Sequence, residues 1–137
     1  MKAISFGWTT LPLLAGEKSV TRRSWKDTYA ARWWDGTEFF MLDKDYRYGG
    51  KRLGIGKLTA NPVKELACEA PSSDFAAEGF AWYVRHPEHL SPAFRRQLGG
   101  HGLRGFLSQH ALFWVVRFEP VEWFVSPSEE LAQRMSA

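Results

Sequence analysis

The stretch from Ala111 to Phe118 constrains the fold most. Leu112, Trp114 and Val116 alternate with Phe113, Val115 and Arg117, the period-two pattern of a β-strand. Both faces are apolar at its start, so the pattern predicts a central strand covered on both sides. Other strand-like runs have to assemble around it. Lys2 to Trp8 reads as a first strand with Ile4 and Phe6 on one face. Ser19 to Arg23 favours extended backbone. Gly49-Gly50 reads as a turn into a strand from Arg52 to Ala60, in which Gly54 and Gly56 allow barrel curvature or a close approach. Val63 to Cys68 continues or pairs with that strand after Pro62, and Val121 to Val125 reads as a final strand after Pro120.

Helices fall between these strands. Thr9 or Thr10 can cap a short one whose first turn tolerates Pro12. A helix through Trp34, with Asp27 as its cap, would present Tyr29, Trp33 and Trp34 as an apolar stripe, and Asp35-Gly36 stops it. Phe75 to Arg85 reads as one helix with Phe75, Gly79, Trp82 and Tyr83 inward, capped by Ser72, Ser73 or Asp74. Ser91 to Leu98 reads as another, followed by a flexible glycine-rich loop over 99–105. Glu38 to Asp43 fits helix or strand and is taken as an excursion from the sheet. Residues 126–137 read as a polar tail that can end in a helix. The pattern is α+β with a small antiparallel sheet, and 137 residues suit one domain.

Composition narrows the function classes. Cys68 is the only cysteine, which rules out an intrachain disulfide and a thiolate metal cluster. It reads as a buried thiol in a reducing, cytoplasmic setting. Pro87 breaks helical geometry between His86 and His89, and no third ligand accompanies them, so no metal or other cofactor is expected. No apolar run is long enough for a membrane helix, and Thr9, Thr10 and Pro12 interrupt any signal-peptide core. The net charge of +3 is unevenly placed. Residues 1–57 carry eleven Lys/Arg against six Asp/Glu, and residues 58–137 carry seven against nine. A basic first half can meet phosphate. Seven tryptophans supply buried area and flat surfaces on which bases can stack.

The chemistry concentrates in residues 15–25, Ala-Gly-Glu-Lys-Ser-Val-Thr-Arg-Arg-Ser-Trp. Gly16 reads as a helix C-terminal cap. In the extended run beyond it, Ser19, Thr21 and Arg23 point one way and Lys18, Val20 and Arg22 the other. A bend at the glycine lets Lys18 reach the Thr21 side. A hydroxyl, an ammonium and guanidinium groups around one space suit an anionic or hydrogen-bonding ligand. The run Gly16-Glu17-Lys18-Ser19-Val20-Thr21-Arg22-Arg23 resembles the G-x-K-x-x-T-x-R signature of ASCH domains, activating-signal-cointegrator homology domains of the PUA-like β-barrels. Glu78-Gly79-Phe80 resembles a second ASCH feature, a Glu-Gly-Phe on a helix after the second strand region. The resemblance implies an α+β, PUA-like small β-barrel with flanking helices.

It also implies function. ASCH resemblance points to RNA or nucleotide recognition, with Lys18, Arg22 and Arg23 at phosphate or a base edge and Trp25 among the stacking surfaces. Tyr46, Tyr48, Lys51 and Arg52 form a second basic and aromatic stretch that can line a nucleic-acid groove. That stretch is no phosphate loop, since Lys51 and Leu58 stand where glycine and a hydroxyl are required. Some small ASCH proteins deacylate N4-acetylcytidine with a lysine, a threonine and a glutamate, which the resemblance places at Lys18, Thr21 and Glu78. A ribonuclease is a lesser alternative, because no carboxylate cluster for two metals is present. The expected partner is RNA or a modified nucleoside.

Overall fold

The computed structural model describes residues 1–92 and 102–137. Within them six strands form one sheet: β1 (Lys2–Ser5), β2 (Val20–Arg23), β3 (Glu38–Leu42), β4 (Arg52–Leu58), β5 (Val63–Leu66) and β6 (Leu112–Trp123). The order is β1-β3-β4-β6-β2, and β5 also pairs with β6. Only β1 and β3 run parallel.

β6 is the spine that its alternation predicts. Val115 lies between Arg22 of β2 and Val63 of β5, so the first half of β6 is paired on both edges. Its second half pairs with β4, from Phe118 opposite Leu58 to Trp123 opposite Gly54. The expected separate strand after Pro120 is the continuation of β6. Pro120 has no N–H to give a ladder, and the register slips beside it, between Ile55 and Gly56 of the partner strand. β5 pairs with β6 and not with β4, because twelve residues of β6 accommodate both in succession.

The run at Glu38 to Leu42 is a strand inside the sheet, not an excursion. Phe39 and Met41 are buried, Glu38 is exposed and Phe40 half-buried, a period-two pattern that the continuous apolar sequence conceals. Gly56 gives room for the Phe39 ring: a Cβ there would stand 2.6 Å from Phe39 Cζ. Gly54 lies as tightly against the Glu122 carbonyl. Both glycines serve packing within the barrel wall.

Two expected helices are shorter than their sequences suggest. The first is a single turn, α2 (Asp27–Ala30). Beyond it Trp33 turns inward onto Trp25 and Phe39, at ring-centroid distances of 4.8 and 5.7 Å, while Trp34 is 57% exposed. The Asp27 carboxylate accepts from Lys64 and the Trp114 indole and caps nothing. The second is split into α3 (Asp74–Ala77) and α4 (Phe80–Arg85). The break is Gly79, at φ +94°, and a Cβ there would lie 2.6 Å from Pro12 Cβ. No side chain caps α3, so Ser72, Ser73 and Asp74 do not play that part.

α1 (Thr10–Leu14) ends as expected. Gly16 has φ +76°, its N–H bonds the Leu13 carbonyl, and the Glu17 N–H bonds that of Pro12, the paired bonds of a Schellman cap. α5 (Gly102–Phe106) is a helix where part of a loop was expected. Most of the helix expected at Ser91 to Leu98, and the glycines at 99–100, lie outside the described residues. The chain closes with α6 (Pro127–Met135), whose Leu131 packs on the core and whose Arg134 bonds Asp43 at 2.8 Å. Cys68 is exposed, because Ala67 takes the buried position in the turn after β5.

The main core holds Ile4, Phe6, Leu13, Phe39, Met41, Leu53, Leu58, Val116 and Phe118. β1 and β2 are the two ends of the strand path, yet Arg23 Nη2 of β2 donates to the Ser5 carbonyl of β1 at 2.6 Å. The sheet therefore curls until its ends meet through one side chain. The fold is α+β, a small curled barrel with flanking helices. No helix among the described residues is long and apolar enough to cross a membrane.

Candidate functional site

Where the curled sheet closes, a cleft of about 340 Å³ opens between the β1–α1 turn, β2, the α3–α4 break and α5. Lys18, Thr21, Arg22, Arg23 and Glu78 contribute its polar lining. Trp8, Phe80, Phe106 and Phe113 contribute aromatic lining. Trp8 stacks on Phe80 at 5.5 Å, and Phe106 on Phe113 at 5.6 Å.

Lys18 is buried, and its position follows from the Gly16 cap. Nζ donates to the Val20 carbonyl at 2.7 Å and to the Glu78 carbonyl at 2.9 Å. The α3–α4 break exposes that second carbonyl, because Gly79 directs the backbone away from helical geometry. Burial holds the Lys18 ammonium down at about 8; Glu78 opposes this, and Arg23 and Arg22 add to it. Burial raises the Glu78 carboxyl against the pull of Lys18, Arg22 and Arg23.

Thr21 accepts from Arg23 Nε at 3.1 Å. Lys18 makes no hydrogen bond to Thr21, so the pair is assembled in one cleft without being coupled as base and nucleophile. Burial lowers Arg23 to about 10, although Glu78 and Tyr29 favour its charge.

Arg22 belongs to a different layer. Its side chain is 0% exposed, and Nη2 bonds Asp74 at 2.6 Å and Glu65 at 2.9 Å. Asp74 also takes both terminal nitrogens of Arg117 at 3.0 Å. Arg22 Nη1 lies 3.5 Å from Glu78 Oε1 without hydrogen-bond geometry. This ion network forms the floor beneath Lys18 and Arg23.

The other predicted residues lie elsewhere. Trp25 stacks on Trp33 and tilts against Tyr29, half-buried against the core. Tyr48 is exposed, with Arg47 over its ring. Lys51 pairs with Glu130, and Arg52 lies 4.1 Å over Phe40 while donating to the Tyr46 hydroxyl. None of these four lines the cleft. Sequence reasoning missed Trp8, Phe106 and Phe113, whose only signal was the aromatic content. It also missed Asp74 and Arg117 as the anchors of Arg22. Among the described residues no group of three His, Cys, Asp or Glu side chains could hold a metal; His86 instead stacks on Trp82 at 4.1 Å.

No family model and no curated protein matches the chain. A solved structure shares its fold. It is the crystal structure of protein EF3133 from Enterococcus faecalis V583, described as a DUF984 protein. The two align with a TM-score of 0.52 over 90% of this chain and 82% of that one, at 20% identity. At that identity the likeness is one of fold.

Proposed function

We propose that the cleft binds a single nucleobase with its sugar, as an ASCH-type nucleotide-recognition site. The observation that carries this reading is the meeting of Lys18, Thr21, Arg23 and Glu78 with the rings of Trp8 and Phe80 in one small cleft. Convergent polar groups with perturbed protonation, set among apolar walls, are the marks of a ligand site. Aromatic faces suit an unpaired base, and the polar groups suit its edge. The two sequence motifs that resemble ASCH domains supply Lys18, Thr21, Arg23, Glu78 and Phe80 to this same place. Isothermal titration with the four ribonucleosides and their 5′-monophosphates tests the reading. Saturable binding of at least one of them, weakened by Trp8→Ala, supports it; no binding of any at millimolar concentration refutes it.

A second reading, deacylation of an N4-acylated cytosine nucleoside, is favoured by one specific observation. Lys18, Thr21 and Glu78 line one cleft, and Lys18 has a pKa of about 8. A neutral Lys18 would take the Thr21 hydroxyl proton as oxygen attacks the acyl carbon, Glu78 would protonate the amine as the C–N bond breaks, and water would then hydrolyse the Thr21 ester to release the acid. This needs a rearrangement that brings Lys18 Nζ to Thr21. Incubation with N4-acetylcytidine, followed by chromatography of cytidine and acetate, tests it beside Lys18→Ala. Turnover lost in the variant supports the reading, and turnover unchanged by it removes Lys18 from the mechanism.

A further inference from the structure

Of the three cations that the signature stretch supplies, only two are available to a ligand, and those two are short of negative charge. Arg22 is consumed by Asp74 and Glu65, and Arg117 by Asp74. Those four side chains balance among themselves. Lys18 and Arg23 have no carboxylate oxygen within ion-pair distance among the described residues; their bonds go to the carbonyls of Val20, Glu78 and Ser5 and to the Thr21 hydroxyl. Among the described residues Glu78 is the one carboxylate lining the cleft, and it brings at most a single negative charge against two positive ones. The cleft is left with at least one uncompensated cation.

The donors are unspent as well. An ammonium has three N–H groups, and Lys18 uses two of them on carbonyls. Arg23 uses Nε and Nη2; its Nη1 bonds no atom of the described residues, nor is it among their sealed polar atoms. Buried charge without a partner costs stability unless something supplies one.

We propose that Lys18 and Arg23 hold the phosphoryl group of a nucleoside monophosphate, so that the cleft's ligand is the charged nucleotide rather than the neutral nucleoside. This rests on the nucleobase reading and specifies its substrate class. A phosphate monoester brings the missing negative charge and oxygen acceptors for both free donors. Arg22, the third cation of the signature, does not touch it.

The test compares each nucleoside with its own 5′-monophosphate on the unmodified protein by isothermal titration, and adds inorganic phosphate as a competitor. The expected result is at least tenfold tighter binding of the monophosphate, an advantage that shrinks as salt is raised and that phosphate competes away. Equal affinity for nucleoside and monophosphate overturns this proposal and leaves the nucleobase reading standing. Binding of neither overturns both. Binding of phosphate alone supports the anion site and refutes the nucleobase reading. Arg23→Lys, which keeps the charge but not the fork, is expected to lower the ratio of monophosphate to nucleoside affinity at least threefold; an unchanged ratio would remove Arg23 from the phosphate site.

Discussion

The Lys18 ammonium donates to the Glu78 backbone carbonyl at 2.9 Å, across sixty residues of sequence. That bond brings the two motifs of the chain into one site. It exists because Gly16 turns the chain at one end and Gly79 breaks a helix at the other.

Gly79→Ala is therefore expected to be far more damaging than Gly16→Ala. Both glycines have positive φ, but a Cβ at position 79 would collide with Pro12, and one at position 16 meets nothing within 4 Å. The second change costs about 1 kcal/mol from backbone strain. The first adds a steric clash, for a total of ~3 kcal/mol or more. Urea unfolding of both variants checks the order; equal losses would mean that the α3–α4 break is not held against α1.

Asp74→Asn is expected to destabilise the fold by about 3–5 kcal/mol at neutral pH, because it leaves Arg22 buried beside a neutral partner. Burial pushes the Asp74 carboxyl up, but Arg117 and Arg22 outweigh it and hold it below its ordinary value. A depressed carboxyl stabilises the fold above its unfolded pKa, near ~3.9, and that contribution is lost as pH falls toward the folded value. The gap between wild type and variant should thus be widest near neutral pH and narrow below pH ~4. A gap independent of pH would contradict the ion network.

Lys18 separates the binding and catalytic readings by the sign of a pH profile. With its pKa at about 8, it holds an anion only below that value. Nucleotide affinity should therefore fall as pH rises through about 8. A deacylase using neutral Lys18 as base should instead gain rate through the same window. Titration calorimetry and an initial-rate series over that range would reveal which slope is present.

The exposed stretch around Tyr48 makes a separate prediction. Tyr48→Ala and Arg52→Ala should leave mononucleotide affinity unchanged within about twofold, since neither residue lines the cleft. A tenfold loss on titration would bring that surface into the site.

Much of this was legible in the sequence where a residue's role is local. The alternation at β6, the Gly16 cap and the extended run to Arg23 follow from backbone preference and period. The strand at Glu38 to Leu42 was concealed because Phe-Phe-Met-Leu is apolar at every position, and only pairing with β1 and β4 selects a face. The break at Gly79 depends on Pro12, and the pairing that occupies the Arg22 guanidinium depends on Asp74 fifty-two residues away. Trp25 and Trp8 are the same residue type. Only the curled sheet packs one against the core and puts the other on the cleft.

The most direct test of the cleft follows the seven tryptophan indole N–H signals by ¹H–¹⁵N NMR as 5′-mononucleotides are added. Trp8 is the only tryptophan among the described residues that lines the cleft, so its indole signal should move progressively while that of the exposed Trp34 stays in place. Mononucleotide binding that shifts Trp34 and leaves Trp8 still would contradict the assignment of this cleft as the functional site.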